Sequence, residues 1–401
     1  MTRVVVSPTN VANFPEGGGH FWVYMQYVTA LIRLGCDVIW LERFRSSGDP
    51  DRDRSLRSRL FERLEPFGMA SRAILYAGDD VEPGVERLLT SADLLLNFQY
   101  DMSPRLLARF RRTALVDIDP GLLQHWIQLG EITPAPHDVY FTTGETIGTP
   151  DAAVPDCGLP WKHIRPPVDL ESWPFVVPPA DAPFTTVSSW MGGVDGEWVD
   201  DGRGGFYDNN KRVAFLRFLE LPLLARREFE LALCLDESPE SEARARKQAY
   251  ADYAGDAADR KRLESHGWRV RHAYDVAGSP EHYRHYIQAS RAEFSCVKPS
   301  CLRFRNAWIS DRTLCYLATG RPAVVEDTGP SAYLPNGEGL LRFACLEQAV
   351  DAVRRVDADY ARHCRAARAI VEAHFDAKAV VASVLEQALA PPAAPEVRWR
   401  A

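Results

Sequence analysis

The feature that most constrains this chain is an alternation that runs twice along it: short unbroken apolar segments, each followed by a stretch of helical period. Strands buried on both faces read as continuous Val/Ile/Leu runs, and parallel pairing requires a crossover, usually a helix, between consecutive strands. In the first half the strand segments are residues 3–7, 36–41, 74–76, 93–97, 114–118 and 139–142. In the second half they are 184–188, 229–235, 268–274, 292–297 and 323–326, with helices over 211–219, 280–289 and 346–389. The pattern predicts an α/β chain of two doubly wound parallel sheets.

The alternation breaks between Pro160 and Pro183, where PWKHIRPPVDLESWPFVVPPADAP carries seven prolines and no helical period. This reads as a linker. The expected organisation is a Rossmann-like domain over 1–165, a linker over 166–183, a second Rossmann-like domain over 184–375, and a C-terminal helix with a disordered tail over 376–401. Residues 237–265 read as solvated helix and 192–205 as a Gly/Asp-rich loop. Two such sheets face their carboxyl edges into one cleft, where ligands of open α/β sheets bind.

Charge and cysteine usage exclude several classes. A formal net charge of −8 argues against a nucleic-acid partner. No signal-like segment or membrane-length apolar run is present, so a cytoplasmic protein without stable membrane insertion is expected, as monomer or homodimer. The eight cysteines are scattered without a CxxC pair or zinc spacing and are read as reduced structural thiols, with no metal site. Abundant Ala, Arg and Pro point to a GC-rich bacterial source.

Chemistry-bearing residues sit at strand ends. Gly17-Gly18-Gly19 follows the first strand and opens a helix, which lets backbone approach an acceptor closely. His20 follows at that helix start, where the dipole keeps an imidazole neutral and basic. The expected orienting partner is a carboxylate at another strand end, Asp119 or Asp117 in VDIDPG; the same DxD spacing also suits a divalent cation. On the donor side, Ser310, Asp311 and Arg312 open a helix that Gly320 ends, an arrangement for phosphate or for plain capping. Ser188, Ser189 and Trp190 follow the first strand of the second half, Lys211 starts the next helix, and Lys298 and Arg305 form a basic cluster. Asp327, Thr328 and Gly329 follow a strand, an arrangement for sugar hydroxyls or for a plain strand-ending turn. No GxGxxG, GxSxG or HExxH occurs, which leaves dehydrogenase, serine hydrolase and zincin readings without support.

Taken together these residues resemble GT-B glycosyltransferases, which implies that the domain over 1–165 binds the acceptor and the domain over 184–375 the nucleotide-sugar donor. In the UDP-sugar-dependent members a GH pair precedes a helix ending in glycine fifteen residues after the His, and His20 and Gly35 keep that spacing. The resemblance implies that His20 is the base and that an Asp about a hundred residues on is its partner. Their donor motif resembles HCGWNSxLE before GxP; aligned on Gly320-Arg321-Pro322, its Asn-Ser falls on Asp311 and Arg312, its His on Ala307 and its Glu on Cys315. More closely, VDIDPG, HDVYFTTGE, SDRTLCYLATGRP, EDTG and LPNGEGLLRF are similar to a group of bacterial glycosyltransferases carrying SGWFSDRS, YLAxGRP and DTG.

The resulting expectation is an inverting hexosyltransferase without a resident cofactor. Its co-substrate would be a UDP- or dTDP-sugar and its acceptor a small molecule, in keeping with natural-product biosynthesis. Rival readings are a sugar-nucleotide 2-epimerase or phosphorylase on the same architecture, a metal-dependent transferase using Asp117 and Asp119, and a non-catalytic nucleotide-sugar sensor.

Overall fold

The computed structural model describes residues 1–179, 181–192, 197–238 and 253–391. The first sheet holds β1 (Arg3–Ser7), β2 (Asp37–Arg43), β3 (Ala73–Tyr76), β4 (Leu94–Asn97), β5 (Thr113–Asp117), β6 (Val139–Thr142) and β7 (Trp161–His163). Their order is β3-β2-β1-β4-β5-β6-β7, parallel throughout. The second half contributes β8 (Phe184–Ser189), β9 (Trp198–Asp200), β10 (Phe206–Asp208), β11 (Phe229–Cys234), β12 (Trp268–His272), β13 (Ala292–Ser295), β14 (Ala323–Glu326) and β15 (Leu340–Phe343). Six of these form a parallel sheet ordered β12-β11-β8-β13-β14-β15, and β9 and β10 make a small antiparallel hairpin. The two doubly wound sheets expected from the alternation are present.

Three elements depart from the sequence reading. Strand β7 occupies residues assigned to the proline-rich break; as an edge strand of three residues, it needs only one neighbour to pair with. Strand β9 lies in the segment read as loop and β10 directly after it, because strands of three residues leave no period to detect. Strand β15 (LLRF) is buried against β14 and was not foreseen. Of the stretch read as solvated helix, Asp256–Ser265 is helical, while residues 239–252 and the tail 392–401 lie outside the described residues.

The helix Gly18–Arg33 is the pivot of the molecule. Eleven of its residues are buried, including Phe21, Trp22, Tyr24, Met25 and Tyr27, and a helix apolar on nearly all sides must be enclosed on all sides. The first sheet covers one side, and elements of the second half cover the other: Trp22 Nε1–H donates to the Pro280 carbonyl at 3.0 Å. Trp22 also meets Trp173 edge to face at a centroid distance of 5.2 Å, and Trp173 is itself fully buried. Its docking makes the proline-rich stretch a packed strap.

The chain passes between the two halves twice, and the crossings are bonded together. Val168 N–H donates to the Phe375 carbonyl at 2.8 Å, and Ala377 N–H donates to Val168 at 3.0 Å. Beyond this point the helix Ala377–Leu389 returns to the first half, where Arg112 donates to the carbonyls of Ala388 and Ala390 at 2.8 and 3.0 Å. On the far side of the cleft, Val199, Tyr207 and Phe304 of the second half pack with Leu122, Trp126, Ile147 and Trp161 of the first. Among the described residues no helix is long and apolar enough to cross a membrane.

Candidate active site

Two cavities lie along the cleft between the sheets. The larger, of about 550 Å³, is walled mainly by the first half, with Trp308, Ile309 and Asp311 reaching in from the second. The smaller, of about 310 Å³, lies between Gly17-Gly18-Gly19 on one side and Ser188, Ser189, Tyr274 and Ser310 on the other. His20, Val23 and Asp311 line both. A group at that shared wall can touch a ligand on either side.

His20 is the third residue of its helix. Its Nε2–H donates to the Thr9 carbonyl in the loop after β1, at 2.6 Å. A carbonyl only accepts, so Nδ1 is left as the basic nitrogen. Burial lowers the imidazole pKa, against opposing contributions from the Thr9 bond and the nearby Asp119 charge. The ring is thus neutral near pH 7 and equipped to take a proton. The expected carboxylate partner is corrected: the group that fixes the ring is a backbone carbonyl, which no side-chain motif can announce.

The two aspartates of VDIDPG separate. Asp119 opens into the cleft and accepts from Tyr100 Oη–H at 3.0 Å; the protein enclosing it raises its pKa, chiefly by desolvation. Asp117 is fully buried at the end of β5, where its carboxylate accepts from Gln124 Nε2 at 2.9 Å, Thr142 Oγ1 at 2.8 Å and the Asp119 N–H at 3.0 Å. Its catalytic assignment is corrected: Asp117 braces the turn that presents Asp119. Because Asp117 is committed in this way, the DxD pair does not present two carboxylates to one ion.

Desolvation pushes the Asp117 pKa up to about 7 from 3.8. The folded protein therefore holds a proton that the unfolded chain has released, and this contribution is fully present below the unfolded value and lost as pH rises through about 7. Asp117→Asn removes the titration. Between pH 5 and pH 8 the stability of the variant relative to wild type should rise by about 2–3 kcal/mol. Urea unfolding at the two pH values reads this directly, and parallel pH dependences for the two proteins would contradict it.

The glycines serve a packing purpose. Gly18 faces the carbonyls of Ala277 and Ser279 so closely that a Cβ would overlap both, and a Cβ on Gly19 would lie 2.8 Å from the Tyr283 ring. They let the His20 helix dock against the second half. They also form one wall of the smaller cavity.

On the second half, Ser310 caps the helix Asp311–Ala318, its Oγ accepting from the Arg312 N–H at 3.3 Å, and Ser189 stands exposed at the end of β8 beside Ser188. Burial raises Asp311 to about 6 despite the nearby Arg312 charge. The Arg312 guanidinium is already engaged, with Nε donating to Glu293 at 2.8 Å and Nη1 to the Val187 carbonyl at 2.9 Å. It anchors the capped helix to β8 and β13, which corrects its reading as a free phosphate fork.

Other assignments are corrected by burial or pairing. Trp190 is fully buried against Phe215, with its indole N–H donating to Asp259 at 2.9 Å, so it belongs to the core. Lys211 donates to the Cys296 carbonyl at 2.6 Å, lines neither cavity, and is pushed down by burial to about 8. Lys298 pairs with Glu197, close enough to Asp119 to be felt by it. Arg305 is exposed in a left-handed turn at φ 46° and lines neither cavity. Asp327 pairs with Arg342, Thr328 Oγ1 donates to the Trp308 carbonyl at 2.7 Å, and Gly329 turns at φ 118° against the Arg305 backbone. That turn braces Trp308 through the Thr328 bond. Ala307 and Cys315 are both buried, the latter beside Gln26. Tyr100, Trp308 and the Thr9 carbonyl are the site groups the sequence reading missed.

No protein-family model matches the sequence, and no curated protein matches it either. Solved structures do. An alpha-glucosyltransferase in complex with UDP and a 13-mer DNA containing a central A:G mismatch has a TM-score of 0.57 at 11% identity, over 97% of this chain and 100% of that one. AviGT4, a glycosyltransferase involved in avilamycin A biosynthesis, has a TM-score of 0.52 at 15% identity, over 96% and 97% of the two chains. HepE from Anabaena, in complex with UDP and glucose, has a TM-score of 0.55 at 10% identity, over 96% and 99%. At such identities the likeness establishes the fold: two Rossmann-like domains in the GT-B arrangement.

Proposed function

We propose that the chain is a glycosyltransferase that moves a sugar from a nucleotide-sugar donor to a hydroxyl of a small-molecule acceptor, with inversion. The observation that carries this reading is the position of His20 on the wall common to both cavities. The donor occupies the smaller cavity. Its diphosphate lies against the Ser189 and Ser310 hydroxyls and the N-terminus of the helix Asp311–Ala318, whose backbone N–H groups and dipole favour anions. The acceptor occupies the larger cavity, and His20 Nδ1 takes the proton of its hydroxyl as the oxygen attacks the anomeric carbon. The backbone N–H groups at that helix start stabilise the leaving group.

Solved neighbours holding UDP support the donor class. One of them holds DNA, but the net charge of −8 here speaks for a small acceptor. The engagement of Asp117 favours the metal-independent reading over the DxD alternative.

A thermal-shift screen with UDP-, dTDP- and other nucleotide sugars tests donor binding. A donor at about 100 times its Kd should add about 2.7 kcal/mol of stability. No shift with any nucleotide sugar would remove the reading.

A further inference from the structure

Resting on the transfer reaction proposed above, we infer that the acceptor is a planar aromatic compound glycosylated on a phenolic hydroxyl, rather than a saccharide or an aliphatic alcohol. The larger cavity carries this. Its walls include the half-buried Tyr100 from the first half and Trp308 from the second, backed by the buried rings of Tyr24, Tyr27 and Phe98. The rings are continuous: Tyr24 and Tyr27 each meet Phe98 edge to face, at centroid distances of 5.3 and 5.0 Å. Aromatic walls favour flat, apolar ligands through offset and edge-to-face contact. Tyr27 adds a buried hydroxyl without a hydrogen-bond partner among the described residues, close to the wall it lines.

A saccharide asks for the opposite, a hydrogen bond to most of its hydroxyls. Some polar groups around this cavity are already taken, although Glu131 and Asp311 also line it. Arg43 donates twice to Asp101, at 2.8 and 2.7 Å, and Asp119 accepts from Tyr100. Breaking such pairs to bind a sugar leaves charges to be satisfied anew.

The base points the same way. His20 is oriented by an uncharged carbonyl, and Asp119 makes no direct hydrogen bond to it. An imidazole without a bonded carboxylate is a weak base for a strongly held proton. A phenol ionises near pH about 10, whereas an alkyl hydroxyl resembles water at about 16, so the phenol yields its proton far more readily. In the step, the phenolic O–H gives its proton to His20 Nδ1 and the oxygen forms the new bond to the anomeric carbon. The bond from that carbon to the diphosphate oxygen breaks, and its electron pair leaves with the nucleoside diphosphate.

The test pairs 2-naphthol with decahydro-2-naphthol, equal in skeleton and different in aromaticity, and adds maltose as a saccharide. The donor is the nucleotide sugar giving the largest thermal shift. The kcat/KM for 2-naphthol should exceed those of the other two by about a hundredfold. Trp308 is only half-buried, so Trp308→Leu should fold normally; it should raise the KM for 2-naphthol about tenfold and leave donor affinity unchanged. Donor bound, with sugar delivered to maltose or decahydro-2-naphthol as fast as to 2-naphthol or to none of the three, overturns the phenol assignment alone. No donor binding at all overturns the transferase reading with it.

Discussion

Replacing His20 by Gln should lower kcat/KM for sugar transfer by about a thousandfold while nucleotide-sugar affinity changes less than about twofold. Gln keeps a side-chain N–H that can reach the Thr9 carbonyl, so the loop and helix start stay tied, but it offers no nitrogen able to take a proton. The acceptor hydroxyl must then shed its proton to water. The split between transfer and binding is diagnostic, since a residue that merely shaped the cleft would change both. In wild type the acid limb of kcat/KM should fall below the ordinary histidine value of 6.5, because burial depresses the imidazole pKa, and His20→Gln should erase that limb from whatever activity remains. Equal losses of transfer and donor affinity, or an unchanged pH profile, would take the base role from His20.

Gly18→Val should be nearly as damaging by a different route. A Cβ at residue 18 overlaps backbone carbonyls of Ala277 and Ser279, and backbone cannot swing aside as a flexible side chain can. The contact joins the His20 helix to the second half, so the strain is relieved by pushing the halves apart along the smaller cavity. Overpacking of this kind costs about 1–3 kcal/mol. Donor affinity should fall at least about tenfold, with faster proteolysis in the strap around Trp173, whose ring packs on Trp22 of the same helix. Gly35→Ala is the control. Gly35 ends that helix at φ 78° with open space around it, so alanine there costs backbone strain of about 1 kcal/mol and leaves donor binding alone. If Gly18→Val binds donor like wild type, the glycines are not the contact that sets the cleft.

The sheets were legible because strands such as VVV and LLL are buried on both faces, and solvent exposure never interrupts their apolar runs. Of the elements that escaped, β7, β9 and β10 are three residues long, too short to show a period, and the four-residue β15 is held by its pairing with β14. The site was legible in part for related reasons. His20 announces itself, since a histidine just after a glycine run at a helix start is a local signal. Its partner does not, because the Thr9 oxygen belongs to the backbone and any residue could supply it. Trp190 looked available from its position after a strand, yet its indole is claimed by Asp259, 69 residues on. Arg312 is likewise claimed by Glu293 on a neighbouring strand. Position at a strand end places a residue near the cleft; whether its polar atoms remain open to a ligand depends on tertiary partners that spacing does not encode.

The central claim is a direct displacement at the anomeric carbon by an acceptor oxygen that His20 deprotonates. The measurement that tests it most directly is the anomeric configuration of the product, read by proton NMR from a donor of known configuration before secondary transfer can blur it. Direct displacement yields the inverted glycoside, with one nucleoside diphosphate released per sugar transferred. A product of retained configuration would contradict it, because His20 could not then be acting as the base of a single displacement.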